Sequence, residues 1–530
     1  MVAQQILSPE QALADLKRRI KVQWTWAFGG TAVTGFLVHL YRMANFLQVD
    51  DTPYYVYSTQ DNTVLGRWLL QWAGAISSYM ELPALNALLA IGYLGLFAVV
   101  LVELLQIETP FLCGLIGGCL AVLPAFSTTL LFAYAADPYM LALLLAGAAV
   151  LAARRWESWR GIAAGAVMLC LSMAIYQAYL DVAVLLCLLV CFKAVLQDGP
   201  RKMLPVAGRM AGMGVIGVAG YMLSAKLALA LQGIEASDYG GFASMGSLDP
   251  VGNLQVVKEI YLGSRHIFLD KLFYATNLFW QLLGWAILGL MGLMAVALLA
   301  AGIREQGMRA AERKAVPYWL LGGVILLLLP AGATTLAIPQ PNTFPYNSLN
   351  GFANGLFVII PLVFADWLRS SLRTWVQGVR WATLAAVLLM SWQFVLVANQ
   401  AARLLEVIEQ RDLANTNRIL SRLEMQEGYS INSTVFFAGK SVPVASESPL
   451  MQYGDRLRLN IRGLHTDSLL YGDFAYRVFM NDNFGTNFSA ASTDTQNSIL
   501  ASAEYAAMKP WPDESCIRWI GDVLAVRLAE

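Results

Sequence analysis

Apolar runs long enough to cross a bilayer recur from residue 24 to residue 401, separated by connections that are mostly short and polar. A spanning helix needs about 20 mostly apolar residues, because the hydrocarbon layer is about 30 Å thick and a helix rises about 1.5 Å per residue. Read this way, the chain offers about eleven spans. They lie near residues 24–43, 83–105, 110–134, 138–153, 161–176, 180–197, 206–231, 277–301, 317–337, 353–368 and 381–401. Hydrophobic residues make up 57% of the chain and charged ones only 14%, against about 25% charged in a soluble domain. That much apolar surface cannot all be hidden in a water-soluble core, so lipid must be the solvent for much of it. The stretch SPEQALADLKRRIK before the first run reads as a polar helix, not as a cleavable signal.

Lysine and arginine in short loops mark the cytoplasmic side of a membrane protein. Lys17, Arg18, Arg19 and Lys21 precede the first span, and Arg154, Arg155 and Arg160 separate the fourth from the fifth. Arg201 and Lys202 follow the sixth, Arg304, Arg309, Arg313 and Lys314 the eighth, and Arg369, Arg373 and Arg380 the tenth. This alternation needs an odd number of spans, with the N-terminus inside and the C-terminus outside. Residues 1–401 then form a membrane module with outer loops at 44–82, 233–276 and 338–352. Residues 402–530 form a C-terminal region of about 130 residues, long enough for a small domain. It opens with an amphipathic helix, QAARLLEVIEQRDLANTNRILSRLEM, that continues the last span. STVFFAG, YRVFMN and DVLAVRL read as short strands. The expected fold is an all-α polytopic membrane protein of about eleven spans with a small C-terminal α/β domain on the outer face.

Basic and acidic residues balance at 36 each, and no basic domain stands out, so nucleic acid is not an expected partner. Five of the six cysteines fall in apolar runs and Cys516 stands alone, which suits packing better than disulfides or zinc. There is no G-x-x-x-x-G-K-[ST] loop, HExxH, GxSxG or dinucleotide fingerprint. No resident metal or cofactor is expected; a divalent ion is compatible with the sequence but not indicated by it.

The outer ends of the spans hold the residues that can do chemistry. Asp50 and Asp51 follow the first span. Adjacent carboxylates repel, so one can take its proton at a raised pH and act as a base toward an alcohol. The same pair would also serve as a solvated loop end. Tyr54 and Tyr55 come next, with aromatic faces that suit sugar rings as well as a membrane belt. Arg67 can bind a phosphate bidentately or snorkel to the interface. Asp137, before Pro138, reads as a turn that caps the fourth span, or as a costly carboxylate kept for use. Tyr176, Gln177 and Tyr179, with Asp181, form a polar-aromatic turn at another outer end. The long loop adds Tyr239 and the cationic group Arg265, His266 and Lys271, able to neutralise a leaving phosphate. Any one of these is also compatible with a solvated loop.

The set resembles the bacterial and phage serotype-converting glucosyltransferases of the type II class, O-antigen glucosyltransferases among the GT-C membrane glycosyltransferases. Asp50-Asp51, Gly66-Arg67-Trp68, Tyr176-Gln177-Ala178-Tyr179 and Asp238-Tyr239-Gly240-Gly241-Phe242 carry the resemblance, with QRDLANTNRILSRL and MKPWPDESCIRWIGDVLAVRL near the end. It implies a multi-pass bacterial inner-membrane enzyme with a periplasmic C-terminus and a GT-C-like bundle whose first outer loop is catalytic. The implied donor is undecaprenyl-phosphate glucose, and the acceptor a lipid-linked or surface glycan. Asp50 and Asp51 inherit the catalytic role by position, and Asp137 matches a second-loop acid seen in many GT-C enzymes. A transporter or flippase of lipid-linked sugar and an O-antigen polymerase or ligase remain rival readings. Flippases often carry internal repeats and mid-span charges, whereas here the charges gather at the outer ends.

Overall fold

The computed structural model describes residues 8–45, 59–77, 82–237, 250–262, 277–307, 315–338, 348–440 and 468–528. The chain divides into two compact units. One comprises Met1–Leu40 and Tyr57–Ala398, the other Tyr41–Val56 and Asn399–Glu530.

Among the described residues, the regular elements of the first unit are all helices. It begins with α1 (Pro9–Arg19), α2 (Val22–Ala44) and two short helices, α3 (Thr59–Val64) and α4 (Leu70–Gly74). There follow α5 (Pro83–Leu105), α6 (Pro110–Val122), α7 (Pro124–Leu131), α8 (Ala133–Arg155), α9 (Trp159–Ile175), α10 (Leu180–Asp198) and α11 (Pro200–Gln232). The remainder is α12 (Pro250–Leu262), α13 (Leu278–Glu305), α14 (Val316–Gly332), α15 (Phe352–Gly355), α16 (Ile360–Trp367) and α17 (Thr374–Glu424). Residues of α2 and α17 fall in both units.

Among the described residues, six helical stretches are long and apolar enough to cross a membrane: α5, α8, Gln177–Asp198, α11, α13 and α17. The pair α6 and α7 makes a seventh if counted as one span bent by 47°. Fewer stretches meet that standard than the eleven apolar runs suggest, for local reasons. The α9 and α14 helices stop at 17 residues each. In α2, which has 23 residues, Gln23, three threonines and three glycines dilute the apolar content. The run at 353–368 breaks into α15, a 3-10 turn at Leu356–Val358 and α16, with Gly355 and Pro361 at the breaks. The turn expected at Asp137-Pro138 is not there either. Helix α8 starts at Ala133 and runs through Pro138, so Asp137 is a helical residue with no exposed surface. Such prolines are tolerated in membrane helices where neighbours satisfy the freed carbonyl.

Glycine lets α2 and α6 meet backbone to backbone. A Cβ on Gly30 would collide with the Gly114 carbonyl, and one on Gly117 with that of Ala27. Small residues at such crossings replace the hydrophobic drive that lipid cannot supply. Gly117→Val is therefore expected to destabilise the protein by about 1–3 kcal/mol, read as a lower melting midpoint in detergent. An unchanged midpoint would mean that the helices separate without cost.

At the bend, the last turn of α6 leaves carbonyls without helical partners. His39 of α2 reaches one of them, with its Nε2 2.9 Å from Ala121 O. Its ring stands edge-on to Phe126 of α7 at 5.4 Å.

The second unit contains a four-stranded sheet of order β2-β1-β4-β3, formed by β1 (Thr434–Ala438), β2 (Ser489–Ala490), β3 (Ile517–Ile520) and β4 (Val523–Arg527). Strand β1 runs parallel to β2 and β4, while β3 and β4 form an antiparallel hairpin. Gly521, at φ 63°, opens its two-residue turn. The segment YRVFMN is not a strand. It lies in α18 (Gly472–Phe484), where Tyr476 and Met480, four residues apart, bury the helix's inner face. Tyr476 stacks on Phe437 of β1 at 5.4 Å.

Asp473, in the first turn of α18, accepts from Phe437 N at 2.9 Å and pairs with Arg477 at 3.5 Å. Burial raises its carboxyl above the ordinary range, against the lowering effect of these two partners. A raised folded-state value means that this group favours the fold below about pH 4, its unfolded value, and that the contribution is lost as pH rises through the folded value. Asp473→Asn should remove that fall. The check is hydrogen exchange of the β1 amides at several pH values, corrected for intrinsic rates. A pH profile identical to wild type would refute the assignment.

Candidate active site

Between α3 and α4 the chain makes a tight turn. Gly66 takes φ 75°, a left-handed conformation that costs glycine little. Gly66 N donates to Thr63 O and Arg67 N to Asn62 O, both at 2.9 Å. Leu69 N then donates to Ala174 O at 3.0 Å, which ties the segment to the end of α9. The turn is also held from behind. Gln177 Nε2 donates to Leu65 O at 2.7 Å and to Tyr221 OH at 2.8 Å, and Tyr221 OH donates to Gly66 O at 3.3 Å.

So oriented, Arg67 meets an aromatic wall. Its Nη1 donates to Tyr139 OH at 2.9 Å. Its guanidinium carbon lies 5.0 Å from the centroid of the Tyr176 ring and 5.9 Å from that of Tyr139. The two rings stack with centroids 4.0 Å apart at an interplanar angle of 12°. Tyr179 stands edge-on to Tyr176 at 5.3 Å, and the Tyr176 hydroxyl donates to Asn350 Oδ1. A guanidinium held over a ring and bonded to a neighbouring hydroxyl keeps its planar fork in place, which suits bidentate binding of a phosphate.

Asp137 sits two residues before Tyr139 on α8. Asn86 Nδ2 donates to its Oδ1 at 2.6 Å, and Asn86 Oδ1 accepts from Leu82 N at 2.7 Å at the start of α5. Asp137 Oδ2 is buried without a well-formed hydrogen bond, with the Ser77 hydroxyl beside the carboxylate. Removing Asn86 strands a buried carboxylate and costs about 1–3 kcal/mol or more. Asn86→Ala should therefore lower the melting midpoint, and adding Asp137→Asn should recover part of the loss. Strict additivity would show that the two side chains are not coupled. Asp181, by contrast, is structural, since its Oδ1 accepts from Leu336 N at 2.7 Å.

Of the residues singled out from sequence, Arg67, Tyr176, Gln177 and Tyr179 come together, with Asp137 on the adjoining helix. Asp50, Asp51, Tyr54, Tyr55, Tyr239, Arg265, His266 and Lys271 lie outside the described residues. Asn86, Tyr139, Tyr221 and Asn350 belong to the same constellation, and no local sequence signal marks them. Only Tyr139, two positions after Asp137, lies close in sequence to a residue singled out above. Among the described residues, no three His, Cys, Asp or Glu side chains gather as metal ligands would.

No curated protein and no solved structure matches the chain. A family model does: Glucosyl transferase GtrII matches residues 40–354. That match takes in Arg67, Asp137 and the Tyr176–Tyr179 turn and covers more than half of the chain, which therefore belongs to the GtrII glucosyltransferase family.

Proposed function

We propose that this glucosyltransferase-family chain moves glucose from a polyprenyl-phosphate carrier to a glycan acceptor on the periplasmic side of the bacterial inner membrane. The observation that carries the reading is the Arg67 guanidinium, placed over the Tyr176 ring and bonded to Tyr139, a seat suited to a phosphate beside a sugar-sized aromatic surface. The alternation of basic connections supports the orientation, with this end of the bundle outside. A lipid-borne donor suits a reaction on a face where nucleotide sugars are not supplied.

In the proposed reaction the acceptor hydroxyl oxygen attacks the anomeric carbon, and Asp50 or Asp51 takes its proton. The bond from that carbon to the carrier phosphate oxygen breaks, and polyprenyl phosphate leaves with the electron pair. Arg67 stabilises the charge that builds on the phosphate, and Arg265, His266 and Lys271 can share that role. Direct displacement inverts the anomeric configuration, through a transition state with oxocarbenium character. Asp137, buried and held by Asn86, serves this seat through its position on α8, two residues before Tyr139.

The test is transfer of labelled glucose from polyprenyl-phosphate glucose to a glycan acceptor in proteoliposomes holding the full chain. One added side residue per acceptor unit supports the reading. Movement of the lipid across the bilayer with no new glycosidic bond, or elongation of the acceptor, would replace it with a flippase or a polymerase.

A further inference from the structure

A cavity of about 600 Å³ opens at the far end of the bundle from Asp137. Helix α5 links the two ends, with Asn86 at one and Leu105 at the other, about 28 Å apart along the axis. Lys193, Arg304, Arg369 and Arg373 line the cavity against two acids, Glu108 and Glu305. The acids do not cancel the cations evenly. Arg369 takes Glu108, and with it Asp366, whose carboxylate also accepts from the backbone N–H groups of Glu108 and Thr109 at 3.0 and 3.1 Å.

Lys193 makes no ion pair among the described residues, and the acids nearest to it, Asp366 and Glu108, are both paired with Arg369. Lys193 is only 5% exposed, and the helix residues on either side of it, from Val182 to Leu196, are apolar. Its Nζ donates to Leu105 O at 2.6 Å and lies 4.9 Å from the Trp367 ring centroid. The carbonyl takes one of the three ammonium hydrogens, and no oxygen among the described residues takes the other two. A buried cation with no ion-pair partner in a membrane helix is costly unless an anion meets it. Beside it, Val296, Ala297, Ala300 and Ala301 of α13 give the cavity an apolar wall.

We propose that this cavity is a binding site for an anionic phospholipid. The headgroup phosphate lies against Lys193 within reach of Arg304 and Arg373, and an acyl chain runs along α13. Basic pockets between spans at the cytoplasmic side suit such headgroups, and the basic connections assign this end to the cytoplasm. The site is separate from the transfer site and stands whether or not the sugar donor is as proposed.

The test uses full-length protein, delipidated in detergent, with short-chain phosphatidylglycerol, phosphatidylcholine or inorganic phosphate added. Phosphatidylglycerol should raise the melting midpoint, and the other two should not. Lys193→Met should abolish the shift. If Lys193→Met does not fold, Arg304→Gln with Arg373→Gln at the rim should weaken phosphatidylglycerol binding roughly thirtyfold. An equal shift with phosphatidylcholine, or an unchanged shift in the rim variant, would overturn the proposal. Inorganic phosphate matching the lipid would overturn the amphiphile in favour of a free anion.

Discussion

Changing Asp50 and Asp51 together to Asn should abolish glucose transfer while leaving a folded, membrane-inserted protein. A positioned general base contributes about 10²–10⁴-fold to such a step, and an amide cannot take the proton. Because the two carboxylates are adjacent, either can stand in for the other, so each single variant should retain more activity than the double. Insertion should be untouched, since Asn is nearly isosteric and the pair follows the first apolar run in the sequence. The measurement is labelled-glucose transfer in membrane vesicles, alongside expression level and melting midpoint. Full activity in the double variant would remove this pair from the chemistry.

Arg67→Ala should cost about 10²–10³-fold in kcat if the guanidinium stabilises the leaving phosphate, as loss of one preorganised donor does elsewhere. Arg67→Lys separates charge from geometry. Lysine keeps the positive charge but has neither the planar fork nor the stacking face that Tyr176 supports. It should recover only part of the loss. If Arg67 merely pins the loop to α8, both variants would lower the melting midpoint and leave kcat per folded molecule unchanged. That outcome would return Arg67 to a structural role.

Sequence alone goes furthest where one residue type carries a local meaning. The 23-residue α5 and α8 helices and the 28-residue α13 helix arise from long apolar runs. The Tyr176–Tyr179 turn and Gly66-Arg67 are visible as polar-aromatic interruptions of those runs. The family resemblance, borne out by the match over residues 40–354, rests in part on these two motifs.

What escapes a sequence reading is long-range. Nothing local to Asn86 says that it will grip Asp137, 51 positions away, at 2.6 Å. Nothing local to Tyr221 says that it will brace Gly66, 155 positions away. Asp-Pro reads as a turn because it usually is one, yet packing of α8 against its neighbours carries the helix through. YRVFMN looks strand-like because aromatic and β-branched residues favour strands. Tyr476 and Met480 instead satisfy a helix that needs one buried face.

The contact between His39 and Ala121 fixes more than the bend it serves. A carbonyl oxygen can only accept, so Nε2 must carry its hydrogen there, whether the imidazole is neutral or charged. The neutral ring is thereby confined to one tautomer, with Nδ1 as its sole lone-pair nitrogen. In a sample with ¹⁵N in its imidazoles, that residue should give the two well-separated nitrogen resonances of a single tautomer in place of an averaged pair.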